Sequence, residues 1–327
     1  VGPDDNTDHL SRILALEPTS PPGDPGLTTT LREYQNAGLN WLWWLWENRC
    51  GGLLCDDMGL GQTHQIMALM ACLQCYDHEK KTFLVVCPTT VLSHWTMKLG
   101  QHAPMLNTTV YYGGDRDLSA AINDTDVLIT SYGLLLRDID QLKTIPFSMC
   151  VFDEIQQIKN ADTKTHRAAS QIDAAIKLGL TGTPIENAIL ELKALMDVVV
   201  PGYLGSDQAF GQRFAPDATA DPTASQNREQ LRRLIFPFTL RRLKSHVLDE
   251  LPEKIEDIRF CELTDKQVKL YRDAIDSRAK GLLASLKDGN EAIPYIHIFA
   301  LLTLLKQICN HPALVDKQPV DDRGQDS

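Results

Sequence analysis

Five short apolar runs recur between residues 52 and 180: Gly52–Cys55, Thr82–Cys87, Val127–Thr130, Met149–Phe152 and Lys177–Leu180. Helical patterns lie between most of them. Runs that are apolar throughout, rather than alternating, suit strands buried on both faces of a sheet. From Leu31 onward the alternation predicts an α/β fold with a doubly wound, mostly parallel sheet. Ligands of such sheets bind outside the carboxyl ends of the strands. Three of these ends carry polar sets: DDMGLGQT after the first run, DEIQ after Phe152 and TGTP after Leu180. Their convergence is what would make a site. Trp41, Trp43, Trp44 and Trp46 share one helix-like run. A packed core helix explains them better than exposed rings for stacking on DNA.

The pattern changes along the chain. Residues 1–26 include PTSPPGDPG and read as an irregular leader. Residues 27–200 hold the strand–helix alternation. Residues 201–240 read as a helical protrusion broken by the loop FAPDATADPTASQN. Residues 241–327 read as a mainly helical connector, with one strand-like run near Ile255–Leu263.

Length and composition narrow the classes. The 327 residues suffice for about two domains, and 43% hydrophobic with 23% charged is an ordinary globular balance. No segment approaches the ~20 apolar residues of a membrane span, and the opening residues lack a secretion-signal pattern. The formal net charge of −11 excludes a surface that is basic all over. Nucleic acid would have to be held on a local patch, such as the run from Arg228 to Lys244 with Arg232, Arg233, Arg241 and Arg242. A solvated helix face explains that run equally well. Eight cysteines include a lone C-x-x-C, Cys72 and Cys75. Without a second pair or matching histidines they read as buried thiols, in keeping with a reducing compartment.

The stretch LLCDDMGLGQTHQIMALM carries the most chemistry. An apolar run, a glycine-containing turn, Thr63 and a helical pattern outline the phosphate-binding loop G-x-x-x-x-G-K-[ST]. Its slots hold Asp56, Gly61, Gln62 and Thr63. Backbone amides of such a loop and the positive end of its helix cradle phosphate oxygens. The lysine normally reaches the β- and γ-phosphates. Here that position is Gln62, which donates hydrogen bonds but carries no charge. Asp153 follows the run MCVF and is placed to hold Mg²⁺, with Thr63 supplying a hydroxyl to the same ion. Glu154 could orient or deprotonate an attacking water. An acidic pair capping the next helix is the plainer reading. Thr181, Gly182 and Thr183 suit relaying a change at the phosphates, although Pro184 also fits a helix start.

Together these segments resemble the first RecA-like lobe of Swi/Snf-type ATPases, superfamily-two translocases that include chromatin remodellers and bacterial relatives. The resemblance covers about residues 27–316 in the family's order. LREYQNAGLNWL is similar to the adenine-reading segment, which implies base contact by Gln35 with Arg32 beside it. DDMGLGQT matches the family's DDMGLGKT. That implies an ATP and Mg²⁺ site from Asp57, Met58, Gly59, Leu60, Gly61, Gln62, Thr63 and His64, with Asp153 and Glu154 catalytic. LVVCPTTVLSHW and VLITSYGLL resemble segments that face one DNA strand, implying contacts by Thr89, Thr90, Ser131 and Tyr132. LGLTGTPIEN resembles the coupling motif. PGYLGS, RRLIFPFTLRRLKSHVLDELPEK and LKQICNHPAL resemble the helical segments between lobes. DEIQQIKN and HAPMLNTTVYYGG look more like bacterial members, which implies a nucleoid location, whereas a eukaryotic member would be nuclear.

Two departures qualify the resemblance. Losing the lysine at position 62 implies suppressed hydrolysis, and the intact neighbouring motifs favour a deliberate substitution over drift. No second-lobe motif follows Leu314. The resemblance therefore implies half of a motor that grips duplex DNA weakly, through phosphates, toward an unspecified nucleoprotein target. The alternatives are a natural pseudo-ATPase that binds without turnover and a strand-separating helicase.

Overall fold

The computed structural model describes residues 18–23, 26–76, 81–182, 189–214, 224–247, 260–279 and 295–315. The chain divides into two compact units, Val1–Leu251 and Pro252–Ser327.

The first unit is a seven-stranded sheet in which every strand pairing is parallel. In chain order its elements are α1 (Glu33–Glu47), β1 (Gly52–Leu54), α2 (Gln62–Tyr76), β2 (Phe83–Cys87), α3 (Leu92–His102), β3 (Thr108–Val110), α4 (Leu118–Ile122), β4 (Val127–Ser131), α5 (Tyr132–Arg137), α6 (Ile139–Leu142), β5 (Phe147–Asp153), α7 (Lys164–Gln171), β6 (Ala174–Leu180), α8 (Ile189–Val199), α9 (Asp207–Phe214), α10 (Ala224–Ile235), β7 (Thr239–Leu240) and α11 (Lys244–Val247). The sheet order is β3-β4-β2-β5-β6-β1-β7. All five residues of β2 are buried, as a strand covered by helices on both faces requires.

Each of the five apolar runs became a strand with ends moved by up to three residues. Two strands lack a legible run. β3 is the half-polar TTV at the sheet edge, and β7 is only two residues long. Residues 260–263 form no strand, and the rest of the Ile255–Leu263 run lies outside the described residues. The tryptophan run is core: Trp41, Trp43 and Trp44 are buried in α1. Cys72 is buried but Cys75 is exposed, because α2 reaches the surface after Leu73. All eight cysteines are free. Gly51 allows β1 to enter the sheet, since a Cβ there would run into the carbonyl oxygens of Lys177 and Val199.

In the second unit the described elements are α12 (Asp265–Ala274) and α13 (Tyr295–Asn310). Gln267 closes a capping box with Thr264 and donates to the carbonyls of Ile308 and Cys309 at 3.0 and 2.9 Å, pinning the two helices together. Among the described residues no helix is long and apolar enough to cross a membrane.

Candidate functional site

Register brings the polar strand ends together. Asp153 is the register partner of Leu180, and Leu180 of Leu54. The chain therefore leaves β5, β6 and β1 side by side, as Glu154, Thr181 and Cys55. On one flank Cys87 pairs with Ser131, so Pro88–Thr90 and Tyr132–Gly133 emerge next to each other. On the other flank Leu54 pairs with Leu240, which sets Arg241 and Arg242 beside Cys55 and Asp56.

The loop after β1 turns on Gly59 and Gly61, at φ of 88° and 82°, where a side chain would be strained. Leu60 is fully buried and anchors the turn. Its carbonyl accepts from Tyr34 Oη and Gln35 Nε2, both at 3.1 Å. Gln35 thus holds the loop, while its Oε1 accepts from the Arg32 amide at 2.9 Å. Met58 is exposed and lies over Gly182, where a Cβ would approach Met58 Cγ to 2.5 Å. That glycine lets the segment after β6 come against the loop.

Gln62 opens α2 with its side chain turned back under the loop. Its Nε2 faces three carbonyl oxygens: Asp56 at 2.7 Å, Thr181 at 3.0 Å and Leu54 at 3.3 Å. An amide has two hydrogens for them, whereas an ammonium has three. Thr181 is buried, and its amide donates to Leu54 O at 3.1 Å, so the strand ends of β1 and β6 are joined twice. Thr63 is half-buried on the first turn of α2. His64 follows it and packs its ring against His102 at 4.6 Å between centroids. Burial first, then His102, Lys98 and His94, hold the His64 pKa below its ordinary value. Thr183 lies outside the described residues.

Asp153 ends β5. Its Oδ2 accepts from the buried Trp95 indole at 2.8 Å and its Oδ1 from the Glu154 amide at 3.0 Å. Tyr132 donates to its carbonyl at 2.8 Å. Burial pushes the Asp153 carboxyl upward, with Trp95 opposing the shift and Glu154 adding to it. Glu154 adopts a left-handed backbone at φ 51°, uncommon for a residue with a side chain and frequent at functional sites. Gln156 donates to its Oε2 at 2.6 Å. Burial pushes the thiols of Cys55 and Cys87 up to about 12, so both stay neutral beside the site.

Of the sequence-predicted DNA contacts, Thr89 and Thr90 are exposed on a short turn. Ser131 and Tyr132 are buried: the Ser131 hydroxyl caps α5 by accepting from the Leu134 amide at 3.4 Å, and Tyr132 serves Asp153. Only the exposed Gly133 brings that segment to the surface. The basic run 228–244 is not one face. Arg228, Arg232 and Arg233 are exposed on α10, where Arg233 pairs with Glu229 at 3.2 Å. Arg242 turns inward to Asp56. Sequence reasoning missed this use of Arg242, because the two-residue strand β7 that delivers it has no visible period.

Trp95 was the other missed residue, hidden inside an ordinary amphipathic helix. Its indole reaches Asp153 from α3, which packs against β3, β4 and α2.

Residues 34–314 match the SNF2-related domain family, and the chain belongs to it. It is 37% identical to TATA-binding protein-associated factor MOT1 of Saccharomyces cerevisiae, over 88% of this chain and 17% of that protein. It is also 37% identical to the putative ATP-dependent helicase/translocase YwqA of Bacillus subtilis, over 90% of this chain and 32% of that one. The solved Sulfolobus solfataricus SWI2/SNF2 ATPase core in complex with dsDNA superposes with a TM-score of 0.64 at 34% identity, over 91% of this chain and 61% of the other. The fold is thus the RecA-like fold of an SNF2-type, helicase-like ATPase. The chain spans less than a third of the length of the two curated relatives and three-fifths of the solved core.

Proposed function

We propose that this chain is the first RecA-like lobe of a two-lobed ATPase that translocates on double-stranded DNA and remodels nucleoprotein, held in a hydrolysis-deficient form by Gln62. One observation carries the reading. Three main-chain carbonyls converge on the side chain at position 62, one more than its amide has hydrogens, and they match the three donors of a lysine ammonium. The pocket suits a cation that the sequence does not supply.

In this reading the loop amides of Gly59–Thr63 and the N-terminus of α2 hold the phosphates of ATP. Gln35 and Arg32 stand at the base side, with His64 at the loop's edge. Thr63 and Asp153 would hold Mg²⁺, which neutralises phosphate charge; two protein donors suffice because this ion keeps waters and takes phosphate oxygens. A half-buried carboxylate at Asp153 with no lysine or arginine beside it among the described residues fits that role. Glu154 orients or deprotonates the attacking water. Thr181, Gly182 and Thr183 relay occupancy of the loop, as the hydrogen bond from position 62 to Thr181 supports. Thr89, Thr90 and the main chain near Ser131, Tyr132 and Gly133 meet DNA phosphates on the neighbouring strand ends. That the similar solved core is in complex with dsDNA supports DNA as the partner. Binding by this lobe alone would be weak and salt-dependent. A bacterial member would work at the nucleoid, and a eukaryotic one in the nucleus.

A natural pseudo-ATPase is the second reading, and Gln62's own hydrogen bonds favour it. Titrating Mg–ATP calorimetrically into the chain and its Gln62→Lys variant separates the two. Lysine should tighten binding on the order of tenfold, the worth of one charge-assisted hydrogen bond. The unaltered chain should turn over ATP near background with or without duplex DNA. Equal affinities would mean the pocket does not work as described.

A further inference from the structure

We infer that Arg242 is a positioning residue of the nucleotide loop, and that the segment Thr239–Lys244 is a working wall of the site rather than a passive connector. The inference rests on the nucleotide reading above. The contacts themselves are independent of it.

The main chain of this segment runs beside the loop after β1. β7 pairs with β1, and the ladder continues past both strands. Cys55 N donates to Leu240 O at 2.7 Å and Asp57 N to Arg242 O at 3.0 Å. Lys244 N donates to Asp57 Oδ2 at 3.0 Å.

The Arg242 side chain then crosses into the loop. Its Nε donates to Asp56 Oδ1 at 2.9 Å, its Nη2 to Asp56 Oδ2 and, at 2.7 Å, to Gln65 Oε1, and its Nη1 to Tyr34 O. Its own amide also donates to Asp56 Oδ1 at 3.1 Å. Gln65 Nε2 closes the ring by donating to Asp56 Oδ2 at 3.2 Å and, weakly, to Gly61 O at 3.4 Å. One guanidinium therefore touches the helix that carries Gln35, the loop itself and the first turn of α2. Asp56 is 0% exposed and the Arg242 side chain 13%. A Cβ at Gly38 would overlap Gln65 Oε1 and come within 2.8 Å of Arg242 Nη2, so α1 carries a glycine where the ring passes.

A planar fork on a buried carboxylate is directional, and neither partner can shift without leaving charge unpaired. Loop and segment 239–244 should therefore move as one body. If phosphate binding orders the loop, it orders this segment too. By linkage, loosening the segment weakens nucleotide binding.

The test is Mg–ATP affinity by calorimetry together with hydrogen exchange of residues 239–244, on the whole chain. Arg242→Lys keeps the charge and loses the fork. It should bind Mg–ATP about tenfold more weakly and lose the nucleotide-induced protection of 239–244 that the unaltered chain shows. Arg116→Gln breaks a comparable pair with Asp138 elsewhere in the same unit; it should stay within about twofold, the span of surface-type effects on a distant site. Should Arg242→Lys fail to fold, the double variant Asp56→Asn with Arg242→Gln leaves no buried charge unpaired and is read in the same way. The inference is overturned if the Arg242 variant binds as the unaltered chain does, if Arg116→Gln weakens binding equally, or if 239–244 gains no protection while nucleotide binds. Absence of any Mg–ATP binding by the unaltered chain and Gln62→Lys alike would instead remove the nucleotide reading, and this inference with it.

Discussion

Asp56 and Asp153 are two strand-end carboxylates of the same sheet with opposite provisions. Asp56 is met by the Arg242 guanidinium, by Gln65 and by a main-chain amide. Asp153 receives an indole N–H and one amide, with no lysine or arginine in ion-pair range among the described residues. Desolvation of the half-buried Asp153 outweighs the opposing Trp95 hydrogen bond and the His94 charge, and its carboxyl is pushed upward. The difference teaches how to tell architecture from chemistry. A buried carboxylate whose charge is answered from within the chain builds the loop. One whose desolvation no lysine or arginine offsets, as at Asp153, marks a candidate site instead.

The contrast predicts unequal mutational costs. All five tryptophans lie in the first unit, so their fluorescence during chemical denaturation reports that unit alone. Asp56→Ala strands the Arg242 charge and should cost about 3–5 kcal/mol. A loss under about 1 kcal/mol would place Asp56 in the same class as Asp153. Asp153→Asn should change stability by no more than about 0.5 kcal/mol, or raise it, because it removes a half-buried charge that no lysine or arginine pairs. The same substitution should abolish the Mg²⁺ dependence of ATP binding seen in calorimetry. Stability that falls as steeply as for Asp56→Ala would erase the distinction.

The smallest effect is in pH. Without Mg²⁺, a carboxyl raised in the folded state contributes stability that is complete below its ordinary value of 3.8 and is lost as pH rises through the raised value. The unaltered chain should show that decline above pH 3.8 relative to Asp153→Asn. Parallel stability curves for the two would mean that Asp153 titrates normally and that its burial is answered by something else.

Much of this was legible in the residues. Strands buried on both faces betray themselves as unbroken apolar runs, so β2, β4 and β5 are readable, and the polar sets after β1, β5 and β6 point to the candidate site. Asp153 and Thr181 lie where a parallel sheet must put them. What stayed hidden depends on contacts distant in sequence. Two residues of β7 carry no period, yet their pairing with β1 aims Arg242 at Asp56. Nothing in SHW distinguishes Trp95 from any core tryptophan, because its partner sits 58 residues away. Ser131 and Tyr132 were expected at the DNA surface by resemblance, and their inward side chains follow from the N-cap and from the hydrogen bond to Asp153, neither of which spacing reveals.

The pairing of Asp56 with Arg242 spans 186 residues, and it has a consequence for biosynthesis. Strand β1 is made before both of its neighbours, β6 and β7. A ribosome must release the chain past Arg242 before the loop's buried carboxylate can find its partner. Until then the β7 edge of β1 stays open and the loop has no floor. Long-range parallel pairings of this kind fold slowly and expose hydrophobic strands meanwhile. The loop after β1, though made well before Arg242, would be among the last parts of its unit to mature, and a nascent chain stalled before Arg242 would be a client for chaperones.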